Sequence, residues 1–387
     1  MDHADPKHPV AAPDSALAIF KVFLRFGARG FGGPAAQIAE LDAEFVERRQ
    51  WISSARFRRA LAVYQLLPGP EAHELCCYLG AVRGGRWGSV AAGLGFMLPG
   101  LALMLVACFG YASLDLASAP VAGAMAAMQL AAAALIVRAA WRLTRPILAS
   151  STALIAAMAV SCAIAMWCFA PAGEVAGASE VASAVASEVE VAGATSAATT
   201  ATNAPALFGH GLTAGLVTFG GAYTAIPYVA TVATGADGWM TRGELLDAVA
   251  IASVLPAPLV IFGTFVGFRG AGLAGALAFT AGIFLPAFAF TLIGFGIIER
   301  LLAWTPARRV LDIAGAVAVG LILGAAFHIV WEPVRGATQA SAQFGRATPM
   351  VFLALIIAVF TWRTRLAVPA IIVGSGLAGA AFGVMAR

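Results

Sequence analysis

Phe31-Gly32-Gly33 returns 188 residues later as Phe219-Gly220-Gly221. Trp51-Ile52-Ser53 returns at the same spacing as Trp239-Met240-Thr241, and Leu67-Pro68-Gly69-Pro70 returns as Leu255-Pro256-Ala257-Pro258. Gly80 and Leu98-Pro99 then match Gly267 and Leu285-Pro286 at a spacing of 187. A fixed period over this distance, shifted once by a single residue, marks a tandem duplication. It constrains the fold more than any local signal does, because each copy must build what the other builds.

Apolar runs fill both copies, at 87–111, 120–137, 147–170, 273–298, 310–331, 348–362 and 366–383. Most approach or exceed the ~20 residues that cross a bilayer. Charged residues make up 11% of the chain, against about 25% in a soluble domain. The expected fold is therefore an all-α polytopic membrane protein with about 10–11 membrane segments. The net charge of +4 gives no reason to expect nucleic acid, because the basic residues flank the apolar runs as orientation signals do. Cys76, Cys77, Cys108, Cys162 and Cys168 form no CxxC pair, and neither a disulfide framework nor a metal cage is expected. Residues 1–15 lack the apolar stretch of a signal peptide and read as a cytoplasmic tail. The two repeats occupy 16–170 and 206–387. Between them, 171–205 is low-complexity sequence with four glutamates and no Lys or Arg, which reads as a flexible linker.

Each copy interrupts its apolar segments twice: at Phe31-Gly32-Gly33-Pro34 and Pro68-Gly69-Pro70 in the first, and at Phe219-Gly220-Gly221 and Pro256-Ala257-Pro258 in the second. In lipid, non-helical backbone survives only against protein or a water-filled cavity. Pro34 and Pro70 suit the first turn of a new helix, where a missing N–H costs nothing. Charge decides between segments that span and segments that return. If every segment spans, the basic residues beside the apolar runs divide 11 to 9, and Arg48, Arg49, Arg56, Arg58 and Arg59 fall outside. If the broken segments are re-entrant hairpins, they divide 15 to 5 with this cluster inside. The positive-inside rule favours the second arrangement. It leaves three full spans in the first copy, and an odd number inverts the second. Inverted repeats with broken helices are a transporter plan. The alternative is a conventional bundle of ten or eleven spans kinked at proline.

A break exposes helix N-termini, whose N–H groups and positive dipole ends bind anions. The candidate anion site therefore comprises Gly32, Gly33, Pro34, Pro68, Gly69, Pro70, Gly220, Gly221, Pro256 and Pro258. Glycine lets an oxyanion approach the backbone closely. Lys21, Arg25 and Arg29 share one helix face ahead of the first break. They read either as a cationic stripe leading an anion inward, with Arg25 and Arg29 as ligands, or as side chains that snorkel to headgroups. Glu71 and Glu74 follow Pro70, where carboxylates either cap the dipole or take up protons for coupling. The second copy is apolar there. His73 lies between them without a recognised metal pattern, so no metal and no cofactor is expected. No hydrolase or metalloprotease motif lies on the apolar segments, and no enzyme activity is expected.

These landmarks resemble the chromate ion transporter family in its long two-domain form. The likeness rests on FGGP at 31–34, W-I-S at 51–53, QLLPGPEA at 65–72, Y-L-G at 78–80 and F-x-L-P at 96–99. In the second copy it rests on TFGGAY at 218–223, W-M-T at 239–241, TFVGF at 264–268 and G-I-F-L-P at 282–286. The sequence departs at 256–258, with PAP where the family usually has PGP, and in its long linker. The resemblance implies efflux of chromate, a tetrahedral dianion shaped like sulfate, from the bacterial cytoplasm across the inner membrane. It also implies chromate resistance and coupling to the proton gradient. The partners expected are an oxyanion and the lipid bilayer, with room for a homo-oligomer. Two other readings stay open: a transporter of sulfate or another oxyanion, and a membrane enzyme or lipid-handling protein built on re-entrant hairpins.

Overall fold

A computed structural model describes residues 14–65, 67–116, 118–148, 152–168, 203–218, 225–235, 238–301, 316, 320, 323, 327, 344–362, 364 and 366–385. Every regular element among them is helical. The first copy supplies α1 (Ala16–Gly27), α2 (Pro34–Leu41, prolonged by a π-helical turn at Asp42–Arg48), α3 (Ser54–Tyr64), α4 (Glu71–Ala112), α5 (Ala119–Leu148) and α6 (Thr152–Cys168). The second supplies α7 (Ala204–Leu216), α8 (Ala225–Thr234), α9 (Arg242–Val254), a 3-10 turn at Leu259–Ile261 leading into α10 (Phe262–Leu301), α11 (Thr348–Thr361) and α12 (Ala367–Met385). Gly220 and Gly221, nearly all of the linker and most of the 310–331 run lie outside the described residues. Asn203 already caps α7, so regular structure begins inside the stretch read as linker.

α4 and α10 are each two helices. Gly84 (φ −142°, ψ 21°) and Gly85 (φ 60°, ψ −150°) leave helical geometry in α4, and Ala271 (φ −149°, ψ 39°) and Gly272 (φ 58°, ψ −146°) do so in α10. The positive φ favours a residue without Cβ. At these points the chain reverses. The backbones of Gly80 and Gly88 touch across the first turn, and those of Gly267 and Gly275 across the second. The returning limbs, 86–112 and 273–301, are about 40 Å long, enough to cross the hydrocarbon core. Candidate spans by length and composition are Glu71–Ala112, Ala119–Arg138, Leu259–Gly294 and Ala367–Met385.

The short helices around the breaks of the first copy also fold back. Phe23 of α1 stacks on Phe45 beyond α2 with ring centroids 4.8 Å apart. Arg56 Nε of α3 donates to Tyr78 Oη of α4 at 2.9 Å, although 22 residues separate them. A continuous helix would hold those residues roughly 33 Å apart. These segments are hairpins with limbs of about 12–20 Å, too short to cross a bilayer singly.

The copies repeat one another contact by contact. α1 packs along the long limb of α4, with Ile19 on Gly88 and Gly27 on Phe96; α7 packs along the long limb of α10, with Leu207 on Gly275 and Gly215 on Ile283. Between copies, Gly93 lies against Phe288, while Gly85, Arg86 and Ser89 face Thr291, Leu292 and Ile293. Rising numbers on one limb meet falling numbers on the other. Equivalent limbs are therefore antiparallel, which makes the repeat an inverted one. Exposed large apolar side chains such as Val106, Leu353 and Leu377 suit a lipid surrounding.

Candidate functional site

The breaks of one copy are tied to those of the other. The Gly69 N–H donates to the Thr218 carbonyl at 2.7 Å, immediately before Phe219-Gly220-Gly221. Gln37 Nε2 donates to both Gly30 O and Ala257 O, at 2.8 Å each. One crossing is thus closed by a backbone amide and the other by an inserted side chain. Gly100 of α4 packs directly on Ala257, which leaves that crossing no room for a larger residue.

A cavity of about 10 Å³ lies at the crossing, lined by Pro34, Gln37, Pro70, Glu71, Ala72, Pro258 and Leu259. Three helix starts converge on it: α2, α4 and the 3-10 turn ahead of α10. None of the three carries a side-chain cap. By contrast, the starts of α1, α3, α7 and α9 are capped by Ser15, Ser53, Asn203 and Thr241. The first amides of a helix have no intrahelical acceptor, so a bare start offers N–H groups and the positive dipole end to whatever faces it. The cavity has room for about one water. A tetrahedral dianion fits only if the breaks part.

Glu74 lies in the first turn of α4 and is fully buried. Neither of its carboxyl oxygens has a hydrogen-bond partner among the described residues. The group rests against Gly69, whose φ of 152° favours glycine; a Cβ there would lie 2.5 Å from Glu74 Oε1. Glu71 lines the cavity itself. His73 belongs to the contact between copies: its Nε2 pairs with Gly93 O at 3.2 Å, and its ring meets Phe284 and Phe288 at 4.9 and 4.8 Å. Among the described residues no three His, Cys, Asp or Glu side chains gather as metal ligands do.

The structure brings together Pro34, Pro70, Glu71 and Pro258 in the cavity wall, with Gly69 and Glu74 behind it. Gly32 (φ 95°) and Gly33 (φ 77°) form the turn into α2. Pro68 and Pro256 sit in the two proline breaks, and Pro70 precedes α4 as its N-cap rather than opening its first turn. Lys21, Arg25 and Arg29 do not join the site. α1 buries Ile19, Phe23 and Gly27 against the protein, and the basic stripe is exposed. Gln37 was not singled out in the sequence; its signal was a lone amide three residues after Pro34, among small and apolar neighbours.

A family model described as chromate transporter matches residues 17–187 and 205–380, one match for each copy. The chain is 41% identical to the chromate transport protein of Pseudomonas aeruginosa over 96% of its own length and 93% of that protein's. It is 30% identical to the probable chromate transport protein of Synechococcus elongatus, over 72% and 75% of the two chains. It is 28% identical to the chromate transport protein of Cupriavidus metallidurans, over 92% and 90%. No solved structure matches it. With both copies matched and a relative aligned nearly end to end, the chain belongs to the chromate transporter family.

Proposed function

We propose that this membrane transporter carries chromate out of the bacterial cytoplasm across the inner membrane, driven by the proton gradient, and so confers chromate resistance. The observation that carries the reading is the convergence of three uncapped helix starts on one buried cavity. Backbone amides and dipole ends suit a tetrahedral oxyanion, and such a site needs no buried arginine. The dianion binds between Pro34, Pro70 and Pro258 when the breaks separate, and Glu74 or Glu71 takes up the coupled proton. Lys21, Arg25 and Arg29 attract the anion toward the first break from outside the cavity. Inverted copies rocking about a central site provide alternating access.

Backbone amides discriminate little between tetrahedral dianions of similar size, so sulfate is the competing cargo. Proteoliposomes loaded with chromate test the reading. Chromate flux driven by an imposed pH gradient is expected, with weaker competition from sulfate. Sulfate flux that chromate fails to inhibit would reassign the cargo. The orientation has its own check, in a background lacking the native cysteines. A cysteine at Ser54 should resist an impermeant reagent in intact cells, and one at Ser187 should react. The reverse pattern would overturn the cytoplasmic assignment of 48–59.

A further inference from the structure

The second copy buries a carboxyl group that the proposed chromate path does not use. Asp247, in the second turn of α9, is 3% exposed. Tyr111 Oη donates to its Oδ2 at 2.7 Å from the last turn of α4. Gln129 Nε2 donates from α5 to Asp247 Oδ1 at 3.1 Å and to Gly243 O at 3.3 Å. Helices from both copies therefore close on one carboxyl group. Tyr111 lies about 37 Å along its helix from Arg86. Arg83, beside Arg86, stacks on Trp51 at 5.5 Å, which brings the arginines around 48–59 to that same near end. The Asp247 cluster is at the opposite face.

The ionisable groups around Asp247 are few. Tyr111 is the neighbour from α4. On α9 itself are Glu244 and Arg242; Arg269 of α10 pairs with Glu244 at 2.6 Å. Tyr228 of α8 is engaged with His210 at 3.2 Å. α12, also packed on α9, carries no ionisable residue. At the equivalent positions of the first copy, 188 residues earlier, Asp247 and Glu244 are replaced by Arg59 and Arg56.

The decisive atom is Gln129 Oε1, which is buried and has no hydrogen-bond partner among the described residues. A buried acceptor left unpaired costs about 1–3 kcal/mol. As placed, the Gln129 amide donates to a charged Asp247. Turned over, it accepts the O–H of a neutral one and gives up its 3.3 Å bond to Gly243 O. The pair therefore has a hydrogen-bonded arrangement for each protonation state.

We propose that Asp247, with Tyr111 and Gln129, is a proton-exchange site on the face opposite the basic loop, and that Gln129 turns over with each transfer. The bond formed is O–H at Asp247 Oδ1 and the bond broken is an O–H of hydronium on that face, which leaves water; recharging of the carboxyl returns the proton to water as hydronium. The proposal rests on the proton-coupled reading above. Its test uses the purified full-length protein. In proteoliposomes, Asp247→Asn should lose at least tenfold of the chromate flux driven by a pH gradient, while chromate–chromate exchange stays within twofold of the parent. Infrared difference spectra across pH, recorded without chromate, should contain a protonated-carboxyl component that is absent in Asp247→Asn and retained in Glu74→Gln. Tyr111→Phe keeps the ring packed on Phe265, 4.9 Å away, and should shift the pH midpoint of that component by about one unit. Asp247→Asn with the parent's gradient-driven flux would overturn the proposal. If the parent moves no protons with chromate, the coupling reading fails by itself. That component then decides for Asp247 alone: its loss in Asp247→Asn supports proton exchange there, and spectra identical to the parent's overturn it.

Discussion

Pro68-Gly69-Pro70 and Pro256-Ala257-Pro258 break equivalent segments and serve different chemistry. Both turn an uncapped helix start toward the central cavity. After the first come Glu71, Ala72, His73 and Glu74; after the second come Leu259, Val260, Ile261 and Phe262. Their ties also differ. Gly69 reaches Thr218 by its own backbone, whereas Ala257 is held by the Gln37 side chain. Duplication supplied an interrupted helix start twice, because paired prolines in an apolar segment suffice to build one. The ionisable groups need only one copy, and each buried charge that is omitted removes a desolvation cost.

The sharpest way to break the comparison is at the bend itself. Gly69→Ala forces a side chain into positive φ and onto Glu74, a strain of about 1–3 kcal/mol, and should lower chromate flux at least tenfold. Ala257→Gly, the reverse exchange in the other copy, should keep flux within twofold. Enlarging Ala257 would be a poor control, since Gly100 packs against it. Equal losses in Gly69→Ala and Ala257→Gly would mean that the two bends do the same work.

Next in size is the carboxyl group. Glu74→Gln should abolish the pH dependence of flux and leave thermal stability near that of the parent. Phe262→Leu, at the matching position, should change stability by about 1 kcal/mol and leave the pH profile alone. A Glu74→Gln protein with the parent's pH profile would reduce Glu74 to a helix-start residue and move the search to Glu71. A smaller effect is expected from Gln37→Ala. It orphans two buried carbonyls and should cost about 1–3 kcal/mol, seen as a lower thermal midpoint. Unchanged stability would mean that water replaces the amide. The smallest effects belong to the outer caps. Ser53→Ala and Thr241→Ala should each cost about 1 kcal/mol with no change in flux, and a transport defect in either would extend the working site to the surface.

Much of this was legible because proline and glycine have few permitted places inside apolar helices. The 188-residue period placed both copies, and the run beginning at 87 located the long limb just past Gly85. The cavity prolines were readable for the same reason. Gln37 was not, because an amide in PAAQIAEL looks like the polar face of any amphipathic helix. Asp247 was hidden by distance: Tyr111 and Gln129 lie 136 and 118 residues away in sequence. Lys21 and Arg25 share one face of α1, with Arg29 two residues past its end, but long-range packing decided which face turned inward. Ile19, Phe23 and Gly27 fit the long limb of α4, so Lys21, Arg25 and Arg29 were turned outward.

The antiparallel pairing of equivalent limbs has an evolutionary consequence. Were the two copies separate and identical, they could make this assembly only as a homodimer whose members sat upside down to one another. Every substitution would then appear on both faces of the membrane. Joining them in one chain lifts that restriction. Arg56 and Arg59 can lie toward one end of the long limbs while Glu244 and Asp247, their counterparts at the equivalent positions, lie toward the other. A fused gene can thus evolve a preferred direction that a symmetric pair of identical halves could not encode.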